Sequence, residues 1–399
     1  MRATPRIVLI ADCPVAGTGG TEWSVRRITR LLTEKGMKVL VLARSEQNKE
    51  DDFAVSTSDL HGATLVTLFP ARWHIPAFDH RRFLEDCFRE ITRIITDFQP
   101  DICHVFGTGP GCYAAGIAAK YCRRQLIVSL RGSDLIRDAF DAKRRSQIEW
   151  LLRAADARTF VSEEARRFAK AAFATIPNAR NFTIHNSTDD RWFRDVETET
   201  VRKQLHGLVI GCVGPLREQM GFFQMLGTLR SLLKTRIRAT LLIIGGIHER
   251  ESTLIRELIQ TSGLEKNLVI TGALPHSEML SFMKLCHVGL LLPKTEGCPN
   301  KLLEFMLAGV PVIAKRIGAI PEIIQEGHRG VLLDSSDPDH VAEEICVLAK
   351  NEGKRQKLGA AGRELILAKF SGRVELRRLT KLYHSCTRGP LRTKSTPRV

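Results

Sequence analysis

The chain has 399 residues and a formal charge of +16, with 43% hydrophobic and 6% aromatic residues. That length allows two ordinary domains with full cores, and the apolar fraction is normal for a globular protein. No apolar run reaches the ~20 residues needed to span a bilayer. The ten cysteines are scattered without a C-x-x-C or Cys/His cluster, which argues against a zinc site or a disulfide framework.

The start, Met1-Arg2-Ala3-Thr4-Pro5, runs straight into a strand without an apolar signal core, so a cytosolic protein is expected. Arg6–Ala11 reads as a short buried strand. A glycine-rich turn with Gly17, Gly19 and Gly20 follows, then an amphipathic helix from Thr21 to Glu34 and a strand over Lys38–Ala43. These glycines let backbone approach a ligand, but the spacing is not G-x-G-x-x-G and no acid ends the second strand. Ala63–Phe69 is strand-like. Phe78–Phe98 carries Leu84, Cys87, Phe88, Ile91, Ile94, Ile95 and Phe98 at helical spacing, a core stripe. Ile102–Phe106 is a strand containing His104, and Gly107, Gly109 and Gly111 stand at its end. Gln125–Leu130 is a strand ending at Arg131-Gly132-Ser133-Asp134. Ala155–Val161 leads to Ser162, a good helix cap, and Arg180–His185 closes the first half.

The polar stretch Asp195–Gln204 reads as the domain boundary. Leu208–Val213 opens the second half and leads to Gly214-Pro215-Leu216-Arg217-Glu218-Gln219-Met220-Gly221. The alternation continues through Ala239–Ile244, Asn267–Thr271 with Gly272-Ala273-Leu274, and His287–Leu292. Thr295–Pro321 then reads TEGCPNKLLEFMLAGVPVIAKRIGAIP. Glu296 falls in a turn-rich loop, Gly297-Cys298-Pro299-Asn300, and Glu304 about two turns into a helix expected to start near Pro299. A helix start directs free N–H groups and partial positive charge at what precedes it, which suits a diphosphate. A carboxylate on each side suits sugar hydroxyls. Gly330–Leu333 is a strand, and Pro338–Lys350, Lys354–Ala368 and Val374–His384 are helices.

Strand–helix alternation in both halves predicts two parallel-sheet α/β domains. The stretch TEGCPNKLLEFMLAGVPVIA with GAIPEII closely resembles the E-x7-E donor signature of retaining glycosyltransferases of family 4. Other segments are similar to the same family: Gly19-Gly20-Thr21-Glu22, PDICHVFG and the segment from Asn186 to Phe193. The resemblance implies a GT-B fold, two Rossmann-like doubly wound domains facing a central cleft. It implies an acceptor-binding domain over 1–194 and a nucleotide-sugar domain over 205–370. A terminal helix over 371–388 would cross back to the first domain, and 389–399 would be a basic tail.

The resemblance also implies roles. Glu296 contacts the donor sugar and Glu304 the ribose, with Arg131 and His104 at the reacting sugar. Donor contacts come from Gly19, Gly20, Arg217, Gly272, Ala273, Leu274, Gly297, Cys298, Pro299 and Asn300. Cys298 shapes backbone and is not read as a nucleophile. Two departures stand out. Many family members carry His-Gly where this chain has Arg131-Gly132, although a subset has R-G-x-D, and an Arg cannot serve as a general base. The family grips the diphosphate with an Arg and a Lys in G-R-L-x-x-x-K-G, where this chain has Pro215 and Met220; Arg217 is a substitute candidate.

The implied function is metal-free, cofactor-free transfer of a hexose from a nucleotide diphosphate sugar to an acceptor alcohol, lipid-linked or on a surface glycan. A nucleotide-sugar epimerase of the same fold, or a silent binding partner in polysaccharide assembly, are the alternatives. The basic balance, with Arg388, Arg392, Lys394 and Arg398 in the tail, fits anionic partners or plain solubility. Peripheral contact with the inner membrane face is one such expectation. Aromatics do not interleave with the basic runs, so a nucleic-acid groove is not expected.

Overall fold

The computed structural model describes residues 4–387 apart from 16–18, 46–52, 71–79, 133–134, 136–137, 174 and 326. Gly17, Ser133, Asp134 and the basic tail therefore lie outside the described residues. By contacts the chain divides into Met1–His185 with Glu375–Val399, and Asn186–Val374.

The first unit is built on an eight-stranded sheet of order β3-β4-β2-β1-β5-β6-β7-β8. Its strands are β1 (Arg6–Ala11), β2 (Lys38–Arg44), β3 (Ala54–Leu60), β4 (Ala63–Phe69), β5 (Ile102–Phe106), β6 (Gln125–Leu130), β7 (Ala157–Phe160) and β8 (Asn181–Thr183). All pairings are parallel except β3 with β4. Side chains alternate across a strand, so β1 feeds two cores. Val8 and Ile10 join Cys87, Ile91 and Ile95 of the helix His80–Phe98 on one face. Ile7 and Leu9 join Val25, Ile28 and Leu32 of the helix Gly20–Glu34 on the other. Leu379, Leu382 and Tyr383 of the terminal helix Gly372–Thr387 share that second core.

The second unit holds a six-stranded parallel sheet of order β11-β10-β9-β12-β13-β14. These strands are β9 (Leu208–Val213), β10 (Ala239–Ile244), β11 (Leu268–Ile270), β12 (Val288–Leu291), β13 (Val312–Lys315) and β14 (Val331–Leu333). Ligands of such sheets gather beyond the carboxyl ends of the strands, where β9, β11 and β12 feed the loops considered below.

The division falls at His185/Asn186, earlier than the charged stretch Asp195–Gln204 suggested. That stretch is tied into the second unit instead. Arg194 donates its backbone N–H to Ser277 O at 2.8 Å, and Lys284 Nζ reaches Asp195 at 3.0 Å. The helix Pro110–Tyr121 and the strand β3 were not foreseen.

Candidate active site

In the second unit, the loop after β9 is laced to the loop after β12. Gly221 sits at φ +81°, and a Cβ there would lie 2.2 Å from Leu292 O, so only glycine permits the approach. Lys294 N donates to Gln219 O at 3.0 Å, and Gln219 bonds Thr295. This fixes Arg217 and Met220 beside the start of the signature.

The signature loop is clasped from its far side. Gly318, at φ +60°, would place a Cβ 2.4 Å from Glu296 O, and Ala319 N donates to Gly297 O at 2.7 Å. Glu296 folds over its own loop, Oε1 accepting from Gly297 N at 3.0 Å. Cys298 is buried, and its carbonyl accepts from Asn186 Nδ2 at 2.7 Å, which fits a backbone-shaping position.

Pro299 is the N-cap of the helix Asn300–Leu307 and supplies no side-chain cap. The helix start thus has polarised N–H groups to which its N-cap residue supplies no side-chain acceptor. Asn300 Oδ1 is buried and has no hydrogen-bond partner among the described residues. Glu304 is 3% exposed, and Oε1 lies 2.7 Å from His276 Nε2. An ionised carboxylate only accepts, so the imidazole N–H donates. His276 follows Gly272-Ala273-Leu274 beyond β11 and stacks on Phe193, with ring centroids 5.1 Å apart. The turn Gly272–Leu274 and the helix carboxylate are therefore linked through His276, a residue the sequence did not single out.

Lys301 is the other residue missed. Its Nζ lies 3.1 Å from Met220 Sδ and 3.8 Å from Glu296 Oε2. A cation in the first turn of a helix opposes the helix dipole, and that was the available signal. Arg217 Nε is buried with no hydrogen-bond partner among the described residues. The expected donor residues Glu296, Gly297, Cys298, Pro299, Asn300 and Glu304 thus form one continuous loop–helix unit. Arg217 and Gly272–Leu274 stand on loops bonded to it directly or through His276.

The remaining expected residues lie in the first unit. Gly19 caps the helix Gly20–Glu34, and a Cβ on it would meet the Glu22 carboxylate at 2.2 Å. Ser24 Oγ donates to Gly20 O at 2.8 Å and accepts from Arg131 Nη2 at 2.5 Å. Arg131 is therefore a tether between the end of β6 and this helix start, close to Gly19 and Gly20.

His104, expected at the reacting sugar, is fully buried in the first unit. It has no exposed surface; Nδ1 lies 2.8 Å from Tyr383 Oη and Nε2 lies 2.7 Å from Ser129 Oγ. Burial, with the Arg131 charge adding to it, pushes its pKa down to about 3, so the ring is neutral. Its ring is bonded on both nitrogens and holds Tyr383 and Ser129 in place. Among the described residues, no cluster of His, Cys, Asp and Glu could hold a metal ion. No helix among them is long and apolar enough to cross a membrane.

Two family models tile the chain: Glycosyltransferase Family 4 over residues 18–192 and Glycosyl transferases group 1 over 194–365. The chain belongs to family 4 of the glycosyltransferases. Among curated relatives of this glycosyltransferase is the N-acetyl-alpha-D-glucosaminyl L-malate synthase of Bacillus anthracis. It is 25% identical over 72% of this chain and 75% of the relative. Another is a GDP-mannose-dependent monoacylated alpha-(1-6)-phosphatidylinositol monomannoside mannosyltransferase of Corynebacterium glutamicum. It is 26% identical over 74% and 79% of the two chains.

Among solved structures, sucrose-phosphate synthase from Thermosynechococcus elongatus superposes with a TM-score of 0.78 at 17% identity, covering 95% and 98%. HepE of Anabaena in complex with UDP gives 0.74 at 17%, covering 95% and 100%. At such identities the likeness shows the fold, which is GT-B. The two family models and the curated relatives make the enzyme a hexosyltransferase acting on nucleotide sugars.

Proposed function

We propose that this glycosyltransferase moves a hexose from a nucleoside diphosphate sugar to an acceptor alcohol with retention of anomeric configuration. The carrying observation is the helix Asn300–Leu307: its N-cap Pro299 supplies no side-chain cap, Glu304 is buried within it, and Glu296 stands on the loop before it. In this reading Glu304 accepts hydrogen bonds from the ribose, held in place by His276. Glu296 accepts from the donor sugar, and the helix N–H groups with Arg217 meet the diphosphate. The bond from the anomeric carbon to the leaving phosphate oxygen breaks, and a bond to the acceptor oxygen forms on the same face. The departing diphosphate takes the acceptor proton. The protein supplies fixed donors and charges where negative charge develops, and this route needs neither a protein base nor a metal.

A lipid-linked or surface-glycan acceptor at an anionic membrane face is the acceptor reading. It is supported by the +16 charge and by the phosphatidylinositol mannoside in the Corynebacterium relative's name. The relatives described are a synthase and a transferase, so the epimerase and silent-partner alternatives gain no support. Glu296→Gln and Glu304→Ala should each lower turnover at least about tenfold, the loss of one or more charge-assisted hydrogen bonds, while circular dichroism stays native. Wild-type turnover in both variants would rule out these roles.

A further inference from the structure

The donor site described above has a charge problem: where the family pattern places a lysine opposite the diphosphate, this chain has Met220. The structure brings another ammonium to the same place. Lys301 Nζ lies 3.1 Å from Met220 Sδ, carried in on the first turn of the helix Asn300–Leu307. A thioether is a weak acceptor, so this contact does little for an ammonium with three donors. Glu296 Oε2, at 3.8 Å, is beyond hydrogen-bond reach. The Lys301 side chain is only 13% exposed, which limits what water can do for it.

The position is costly in a second way. The helix start carries partial positive charge, and Lys301 adds a full one beside it. A bound polyanion reverses both costs. Met220 donates its N–H to Arg217 O at 3.0 Å, so Arg217, with its buried unpartnered Nε, belongs to the same short loop.

We propose that Lys301 is the cation that grips the donor diphosphate, replacing through space the lysine absent at position 220. The Met220 side chain is then the packing surface against which the lysine stem lies, a role thioethers fill well. The assignment rests on the donor-site reading of Glu296 and Glu304.

Isothermal titration with UDP, GDP, ADP, CDP and dTDP, and with the matching nucleosides, tests it on the whole chain. Whichever diphosphate binds the wild type should bind Lys301→Met roughly 10- to 100-fold more weakly. The matching nucleoside should change less than about twofold, because it lacks the charge that Lys301 meets. Adding Met220→Lys to Lys301→Met should recover most of the loss, since it returns an ammonium to the same spot. Diphosphate affinity untouched by Lys301→Met, or a loss the nucleoside shares equally, overturns the assignment and leaves the donor-site reading standing. A double variant as weak as the single one also contradicts it. If the wild type binds no nucleoside diphosphate, the donor-site reading itself falls, and this inference with it.

Discussion

Arg27 of the first unit meets the Glu375 carboxylate through Nε at 2.8 Å and Nη2 at 3.1 Å, with both side chains sealed from solvent. Lys301 of the second unit, nearly as covered, meets a sulfur. His104 has an oxygen at each ring nitrogen, whereas Asn300 Oδ1 and Arg217 Nε have no partner among the described residues. A buried polar group costs free energy unless it is paired, so these particular groups differ in what they contribute. In the first unit the pairs hold elements together: Glu375 and Tyr383 fasten the terminal helix, and Arg131 ties β6 to the glycine turn. In the second unit two groups without a partner among the described residues, Asn300 Oδ1 and Arg217 Nε, stand at the signature helix start and on the loop bonded to its approach.

The comparison breaks most sharply at Glu375. Removing one partner of a buried ion pair strands the other charge, so Glu375→Ala should cost about 3–5 kcal/mol in urea denaturation. A cost under ~1 kcal/mol would mean that the pair is not a clasp.

His104 gives a smaller, pH-dependent effect. Its folded pKa, about 3, lies below the ordinary value of 6.5. Above pH ~6.5 both folded and unfolded states hold it neutral, and its contribution to stability is fully present. As pH falls from there towards 3, only the unfolded state takes up the proton, and stability drops by up to about 1.4 kcal/mol per pH unit. His104→Asn should remove that one-proton slope between pH 6 and 4, read from urea midpoints at each pH. An unchanged slope would show that His104 titrates normally in the folded protein.

Lys301 gives the smallest effect on stability. Lys301→Met should stay within about 0.5 kcal/mol of wild type, because a pair 3.8 Å apart is beyond hydrogen-bond reach and a methionine stem replaces the lysine stem. A loss of several kcal/mol would place Lys301 with Arg27 as a structural group.

Much of the fold was legible because strand–helix alternation and buried strand runs are local signals. The core stripe of the helix His80–Phe98 and the caps at Ser162 and Pro299 are of that kind. The strand β3, AVSTSDL, escaped notice because it is largely exposed and pairs antiparallel at the sheet edge, so no apolar alternation marks it. The helix Pro110–Tyr121 is rich in alanine and glycine, buried on most sides, and so has little amphipathic pattern to read. Within the site, Glu296, Glu304 and the loop between them were marked by the stretch's resemblance to the family 4 donor signature, with Pro299 marking the helix start. Lys301 and His276 were not singled out, since their importance lies in contacts 81 and 28 positions away in sequence. The only mark Lys301 left in the sequence was a cation in a first helical turn, which does not say what it meets.

The most direct measurement of the central claim is amide hydrogen exchange with and without a saturating nucleoside diphosphate sugar, chosen from a panel by thermal shift. Protection confined mainly to residues 214–221, 272–276 and 296–304 is the predicted result. Protection absent from 296–304, with the ligand demonstrably bound, would contradict it.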